Sequence, residues 1–201
     1  VSLDGFIDAI KNPKQKTLNL LDEIKEASLN NDKELKNKLK EKLPFFTPAV
    51  IVKDGKSRRY ENIDRFTGLA QIDFDGFDSV DQATDCKHWL FENSKQIKCA
   101  YLSPSKLGVK ALMRVSVCKD VNEFQDHYRA ITSFFKVECH VPHFDVAPQN
   151  AILPLYYSYD KDVLIRENAL VWTKRIHKKK YVVKDSNIVY DCSSPLGKSL
   201  I

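Results

Sequence analysis

The sequence lacks several features that mark membrane, secreted or disordered proteins. No apolar run approaches the length of a membrane-spanning helix and no signal peptide is visible, so we expect no membrane association. The cysteines are odd in number and form no Cys-x-x-Cys pair, which favours reduced thiols in a cytoplasmic protein. Only 6 glycines beside 43% hydrophobic residues indicate a packed globule. Because the first residue is not Met, we expect a piece of a longer chain.

The sequence also lacks a large excess of charge of either sign. Its net charge of +5 permits nucleic-acid binding without indicating it. The 201 residues suit one sizeable domain with an appendage. We predict a helical extension over residues 1–42, a main domain over 43–185, and a linker or tail over 186–201. Leucines at helical spacing mark the extension, broken at residues 30–32. Its lysine run, residues 33–42, is most simply a solvated helix face, with phosphate contact as the alternative.

One short stretch, residues 68–76, combines a strand pattern with two carboxylates. Asp73 and Asp75 alternate with Ile72 and Phe74, so the acids share one face of a strand and the apolar residues face a core. Two neighbouring acids at the end of a strand are costly unless a cation lies between them. Their hard oxygen atoms suit Mg²⁺ or Mn²⁺ better than Zn²⁺. The alternative is an acidic turn that caps the next helix.

The order of the predicted elements indicates the fold class. Strands and helices are predicted, in chain order, at residues 69–75, 79–93, 98–103, 108–117, 120–135 and 153–159. Each helix begins with a capping box, Ser79 with Gln82 and Asp120 with Glu123. This β-α-β-β-α-β order is typical of ferredoxin-like and RNA-recognition-motif folds, so we predict an α+β protein. Extra strands are predicted near the C-terminus at residues 169–172, 181–183 and 188–190.

This topology places the third strand between the first and second, antiparallel to both. The start of the third strand, at Lys110, should therefore lie beside the end of the first, at Asp75. Odd-numbered residues from Val109 to Val117 would face the helices. The opposite, open face would hold Asp73, Asp75, Lys110 and Arg114.

Acids and bases on an open sheet face suggest phosphoryl or nucleotidyl transfer. The loop between the second and third strands, residues 103–110, offers hydroxyls, turn amides and lysines that could hold a triphosphate. An ordinary hairpin loop is the alternative. Asp145, shortly before the last predicted strand, is a candidate third metal ligand.

These motifs occur in a familiar order: Asp73-Phe74-Asp75-Gly76, the Ser103-Pro104-Ser105 loop leading to Gly108-Val109-Lys110, Phe144-Asp145, and Tyr157-Ser158-Tyr159-Asp160. Over residues 40 to 165 the chain resembles the VirE N-terminal, primase-like family of mobile elements and phages. That family is similar to the archaeo-eukaryotic primase, or primase-polymerase, superfamily. The resemblance implies an RNA-recognition-motif-like catalytic core in which Asp73, Asp75 and Asp145 bind two metal ions, Mg²⁺ or Mn²⁺. The residues expected to bind the nucleotide are Ser103, Ser105, Lys106, Lys110 and Arg114.

The function implied by the resemblance is that of a metal-dependent DNA primase-polymerase in a phage or mobile-element replication protein. Its partners would be a single-stranded DNA template, nucleoside triphosphates and a helicase domain in the same full-length chain, in the cytoplasm of a bacterial host cell. The residues expected to contact the template backbone are Arg58, Arg59, Lys174, Arg175 and Lys178, with Lys106, Lys179 and Lys180 as further candidates. For the basic run 174–180, a solvated hairpin is the first interpretation and DNA contact the second.

Departures from the superfamily pattern keep other functions open. Ser105 stands where a histidine is usual, and the loop reads Ser105-Lys106-Leu107-Gly108 where Ser-Gly-Lys-Gly is frequent. An arginine usual just before the last strand is replaced near Leu153. A catalytically degenerate single-stranded-DNA-binding module is therefore the main alternative. A rolling-circle initiator would use His140 and His143 with a tyrosine nucleophile, but that spacing would not put both histidines on one strand face. Residues 192–199 differ by one residue from a phosphate-binding P-loop and are interpreted as a linker.

Overall fold

The chain has an α+β architecture in the computed structural model, which describes residues 2–139, 141 and 143–178. The predicted fold class is confirmed. The helices are α1 (Leu3–Lys11), α2 (Gln15–Leu29), α3 (Lys33–Lys40), α4 (Val80–Asn93) and α5 (Val121–Ser133). The strands are β1 (Phe45–Phe46), β2 (Val50–Val52), β3 (Ile63–Phe66), β4 (Leu69–Asp75), β5 (Ile97–Leu102), β6 (Gly108–Arg114), β7 (Phe144–Asp145), β8 (Leu155–Tyr156) and β9 (Leu164–Ile165). None of the described helices is long and apolar enough to span a membrane.

Local capping explains where several helices begin. Ser79 accepts a hydrogen bond from the Gln82 amide at 3.2 Å and Asp120 accepts one from the Glu123 amide at 2.9 Å, so both predicted helix starts are confirmed. In the N-terminal region, Asp32 accepts from the Leu35 amide at 2.9 Å and starts α3 after the predicted break. A second break separates α1 from α2 at Asn12–Lys14.

The central sheet has the strand order β7-β4-β6-β5-β9, with every neighbouring pair antiparallel. β6 therefore lies between β4 and β5, as predicted for the third strand. Its register differs from the prediction, because Lys110 pairs with Asp73 and it is Gly108 that pairs with Asp75. A shift of two residues keeps each side chain on the predicted face.

The strand predicted at residues 153–159 forms only over Leu155–Tyr156, and its predicted place as the fourth strand of the central sheet is wrong. β7 takes that place beside β4, while β8 pairs with β1 in a separate two-stranded sheet. The reason is aromatic packing: the Phe144 ring lies 5.4 Å from the Phe74 ring and 5.5 Å from the Phe135 ring, centre to centre. A strand of two residues is too short to show a periodic pattern in the sequence.

Two further predictions about strands are corrected at the C-terminal side. β6 ends at Arg114, and Val117, predicted to face the helices, is 66% exposed. Within residues 169–172, only Trp172 makes a bridge, parallel to Val115, because its amide bonds the Arg114 carbonyl at 2.9 Å. β9 is an extra strand at the β5 edge. The strands predicted at 181–183 and 188–190 and the tail 186–201 lie outside the described residues.

Both faces of the central sheet are covered, which corrects the prediction of an open face. α4 and α5 cover one face, where Ile72, Phe74 and Met113 are fully buried in the largest apolar cluster. On the other face, α1 places Phe6 and Ile10 against the sheet in a second cluster. The helical extension therefore packs on the main domain, and the apolar cluster beneath α1 does not include Asp73 or Asp75.

Candidate functional site

A row of four residues crosses the sheet on the face that α1 partly covers. Asp145 on β7 pairs with Asp73 on β4, Asp73 pairs with Lys110 on β6, and Lys110 pairs with Tyr101 on β5. Asp75 lies two residues further along β4 and therefore on the same face. The fold thus brings the three predicted acids and Lys110 to one end of the sheet.

Asp73 is the centre of this row. Its Oδ2 atom accepts a hydrogen bond from Lys110 Nζ, and both side chains are largely buried. Its Oδ1 atom is buried and has no hydrogen-bond partner among the described residues. A buried carboxylate oxygen without a partner costs free energy, so this atom fits a ligand that supplies positive charge or a donor.

The two other acids each have one oxygen committed to a local turn. Asp145 Oδ1 accepts from the Ala147 amide at 2.9 Å, and Asp75 Oδ1 accepts from the Gly76 amide at 3.1 Å. Carboxylate oxygens are the donors that Mg²⁺ and Mn²⁺ prefer, so with the unpartnered Asp73 Oδ1 the residues fit such an ion chemically. The described residues contain no group of three or more His, Cys, Asp or Glu side chains close enough to hold a metal. The acids are therefore neighbours on one surface and do not form a closed ligand set.

The row ends at Tyr101, a residue that sequence reasoning did not select. Its hydroxyl is buried and has no hydrogen-bond partner among the described residues. Burial, aided by the nearby Cys99 and Asp73, holds the pKa of Tyr101 well above its ordinary value. The hydroxyl therefore stays protonated and remains a potential donor.

The predicted phosphate-binding loop lies next to the acids. Gly108 has no room for a side chain: a Cβ there would lie 2.7 Å from the Phe74 carbonyl oxygen and 3.0 Å from Asp75 Oδ1. The hydroxyls of Ser103 and Ser105 are buried and lie 3.2 Å apart, within hydrogen-bonding distance of each other. The loop is thus close to Asp75, but its serines bind one another.

Lys106 joins this loop to a later segment. Its Nζ atom donates to the Tyr159 carbonyl and lies 4.8 Å from the centre of the Tyr159 ring. Burial lowers the pKa of Lys106. This lysine holds two chain segments together, and we assign it a structural role in the free protein.

Arg114 is not brought to the acids. It pairs with Leu69 at the opposite end of β4 from Asp75 and donates to the Ala169 carbonyl at 2.7 Å. Four residues separate it from Lys110, on the order of 13 Å at roughly 3.4 Å per residue. Arg114 therefore lies outside the row of acids.

The basic residues predicted to contact DNA fall into two places. Arg58 donates to the Ile152 carbonyl at 2.6 Å and stacks over Phe45, and Arg59 lies 3.8 Å from Glu61. This group borders the segment that follows Asp145. Arg175 instead donates to His127 Nε2 at 3.0 Å on α5.

Lys174 and Lys178 are exposed on the same C-terminal segment as Arg175. Because α5 packs on the sheet face opposite the acids, these residues lie on the far side of the sheet. Lys179 and Lys180 lie outside the described residues, as does His140 of the rolling-circle alternative.

Comparison with known proteins shows the family to which the chain belongs. A family model described as BT4734-like, N-terminal domain, matches residues 38–163, more than half of the sequence. The chain belongs to the BT4734-like N-terminal domain family. No curated protein and no solved structure matches it. The matched residues include all three acids, whereas α1 and α2 precede them.

The BT4734-like domain also has a buried ion pair that sequence reasoning missed. Lys87 Nζ on α4 donates to Asp160 Oδ2 at 2.9 Å and to the Asp162 carbonyl at 3.0 Å. Asp160 Oδ2 also accepts from the Leu102 amide at 2.9 Å. The Tyr157-Ser158-Tyr159-Asp160 motif therefore anchors the end of β5, just before the Ser103 loop. Only the tertiary structure reveals this pairing, since 73 residues separate the partners.

The domain further places a face of α3 beside the acids, which the sequence analysis had most simply interpreted as solvated. Lys36 and Lys40 are half-buried. Burial lowers the pKa of Lys40; the nearby charge of Lys110 lowers it further, and Asp75 partly offsets this. The spacing of Lys33, Lys36 and Lys40, three and four residues apart, was the available signal that they share one helix face.

Proposed function

We propose that this BT4734-like domain is a metal-dependent nucleotidyltransferase of primase-polymerase type, acting on a single-stranded DNA template. The observation that carries the proposal is Asp73, which lies in register between Asp145 and Lys110 and keeps one buried oxygen without a partner. Acids on adjacent strands beside a lysine suit a reaction in which phosphate charge must be neutralised.

In the proposed reaction, a 3′-hydroxyl oxygen attacks the α-phosphorus of an incoming nucleotide. A new phosphorus–oxygen bond forms and the hydroxyl proton passes to water, while the bond to the β-phosphate breaks and pyrophosphate leaves. Asp73, Asp75 and Asp145 would hold Mg²⁺ or Mn²⁺, which stabilises the negative charge on the phosphates. Lys110 would exchange its bond to Asp73 for phosphate oxygens, since a charge-assisted bond replaces an equivalent one. The Ser103–Gly108 loop would border the phosphates beside Asp75.

The partners proposed for the domain follow from its resemblance to the VirE N-terminal, primase-like family. They are nucleoside triphosphates, a single-stranded template, and a helicase domain in the same full-length chain of a phage or mobile element. The host compartment would be the bacterial cytoplasm. Arg58 and Arg59, which border the segment after Asp145, are the template contacts we favour over Lys174, Arg175 and Lys178.

A substitution at Asp73 tests this function. Asp73→Asn keeps the size of the side chain but removes its charge, so incorporation of labelled nucleotide on a primed single-stranded template should fall below detection. Asp73→Ala should have the same effect, and circular dichroism should show an intact fold for both. Asp85→Ala, which removes an exposed acid of α4, is the matched control and should retain full activity. Unchanged incorporation by Asp73→Asn would remove the assignment.

A second candidate function is a catalytically degenerate module that binds single-stranded DNA. The Lys110–Asp73 ion pair favours it, because a lysine that neutralises the central acid can substitute for a metal. Calorimetry with a deoxynucleoside triphosphate and Mg²⁺ separates the two candidates. The nucleotidyltransferase should release or absorb measurable heat, whereas absence of heat at millimolar nucleotide would favour the binding module.

A further inference from the structure

A cleft of about 390 Å³ separates the N-terminal helices from the turn that follows β4. Lys33 and Lys36 line one wall, and Asp75, Gly76 and Asp78 line the other. The volume is in the range of small-molecule sites, and charged side chains line both walls. The cleft therefore continues the acid row beyond Asp75, and its wall of α3 lysines has no part in the reaction above.

The lysines of α3 are divided between two surfaces. Lys36 and Lys40 are four residues apart and half-buried, on the face of α3 toward the acid end of the sheet. There the charges of Lys110 and Asp75 act on Lys40. Lys38 lies on the outer surface and forms an exposed ion pair with Glu34 at 2.7 Å. Lys42, just after the helix, is also exposed. Lys36 and Lys40 are therefore positioned to act at the site, and the more exposed Lys33 lines the same cleft.

The number of acidic and basic side chains at the cleft indicates the charge of the ligand that it fits. The charged residues of the cleft and the acid row have a net charge of −1, because five aspartates face four lysines. The aspartates are residues 32, 73, 75, 78 and 145, and the lysines are residues 33, 36, 40 and 110. A divalent cation bound by the acids would leave the cleft positively charged. A polyanion of compact phosphate groups would balance this charge and would give Lys36 and Lys40, which form no ion pair among the described residues, an anionic partner.

We propose that Lys36 and Lys40 of α3 form, with Lys110, a binding site for the triphosphate of the substrate nucleotide. The identity of the polyphosphate as a nucleotide rests on the proposed nucleotidyl transfer. The site itself rests on the cleft and on the lysine face. The family match begins at residue 38, so Lys36 precedes the matched residues and Lys40 lies within them. In this proposal α3 forms one wall of the site.

Inorganic tripolyphosphate with Mg²⁺, and without nucleotide, is the direct probe, because the cation makes the site positively charged. The intact domain should bind it in low-salt calorimetry, and the double variant Lys36→Gln/Lys40→Gln should weaken binding roughly ten- to hundredfold, since two charge-assisted contacts are lost. The double variant Lys38→Gln/Lys42→Gln changes the net charge equally on the outer surface and should weaken binding less than about twofold.

Three results would overturn the site: no binding by the intact domain, no loss in the inner pair, or an equal loss in both pairs. A second measurement needs no variant. Acetylation of the intact domain, followed by mass spectrometry, should show that tripolyphosphate protects Lys36 and Lys40 but not Lys38 and Lys42. Equal acetylation with and without tripolyphosphate would also overturn it, even if the inner double variant failed to fold.

The two proposals fail in different ways. If tripolyphosphate binds as expected but the intact domain incorporates no nucleotide, the nucleotidyltransferase assignment is lost and the polyphosphate site remains. If incorporation occurs and the inner double variant keeps both tripolyphosphate affinity and the apparent KM for nucleotide, the lysine site is lost and the enzyme assignment remains.

Discussion

At the scale of single residues, the Lys110–Asp73 pair controls the charge of the site. Both side chains are largely buried, so the pair is less screened by solvent and salt than an exposed one. Lys110 is held at the point where the acids meet the cleft beside α3. In the free protein it neutralises Asp73, and with a polyphosphate present it has a second, more highly charged partner. Under the proposed function, the same residue would stabilise the site of the free protein and bind the nucleotide.

Lys110→Ala should raise the apparent KM for nucleotide and also lower kcat, because charge builds on the departing pyrophosphate. The expected loss in kcat/KM is about ten- to hundredfold, or roughly 1.5–3 kcal/mol. Steady-state incorporation measures it. Lys98→Ala, at the other end of the sheet, is the control and should keep both constants. A Lys110→Ala variant with unchanged nucleotide kinetics, or one that loses only template affinity, would argue for the binding module.

At the scale of secondary-structure elements, α1 determines which part of the sheet can meet a ligand. Phe6 and Ile10 are fully buried against Tyr101, Leu112 and Leu155. The Phe6 ring also contacts the Tyr157 ring edge-on, with centres 5.2 Å apart. Bases of a nucleic acid therefore cannot stack on the middle of this sheet face while α1 is in place.

Phe6→Ala tests the contribution of α1 to stability. Removal of a fully buried phenyl ring should lower the free energy of unfolding by about 3–5 kcal/mol. Urea unfolding followed by circular dichroism measures this change. Leu29→Ala, at a position 60% exposed near the end of α2, is the apolar control and should cost less than about 1 kcal/mol. Equal effects of the two substitutions would show that α1 does not pack on the sheet as described.

At the scale of the whole molecule, positive charge is divided between the two sides of the sheet. Arg58 and Arg59 border the segment after Asp145, whereas Lys174 and Arg175 lie along α5 on the opposite side. Under the proposed function, a template strand that reaches Asp73 would pass the first group. The modest net charge of +5 is thus less informative than its distribution.

Affinity for single-stranded DNA should fall steeply with salt, since backbone contacts release counterions. Arg58→Ala/Arg59→Ala should weaken binding and reduce the slope of log affinity against log salt by about 1.4, or roughly 0.7 per lost contact. Lys174→Ala/Arg175→Ala removes the same charge from the α5 side and should leave the slope nearly unchanged. Fluorescence anisotropy over a salt series measures both. A salt-insensitive affinity would indicate stacking instead of backbone contact.

The sequence by itself determined the features that depend only on the spacing of residues within one strand or helix. Alternation along β4 and β6 placed Asp73, Asp75 and Lys110 on a common face, because side chains repeat every two residues along a strand. Capping boxes located the starts of α4 and α5, because the hydrogen bonds join residues only three positions apart.

The tertiary structure alone decided which elements meet. It paired Lys110 with Asp73, made the two-residue β7 the fourth strand, and placed α1 and α3 on the side of the acids. Each outcome depends on apolar surfaces from distant parts of the chain being buried together, as with Phe144 against Phe74. The hydrophobic effect is non-directional and depends on the total apolar area buried in the core. A local sequence pattern therefore shows which residues are buried but not which distant element packs against them.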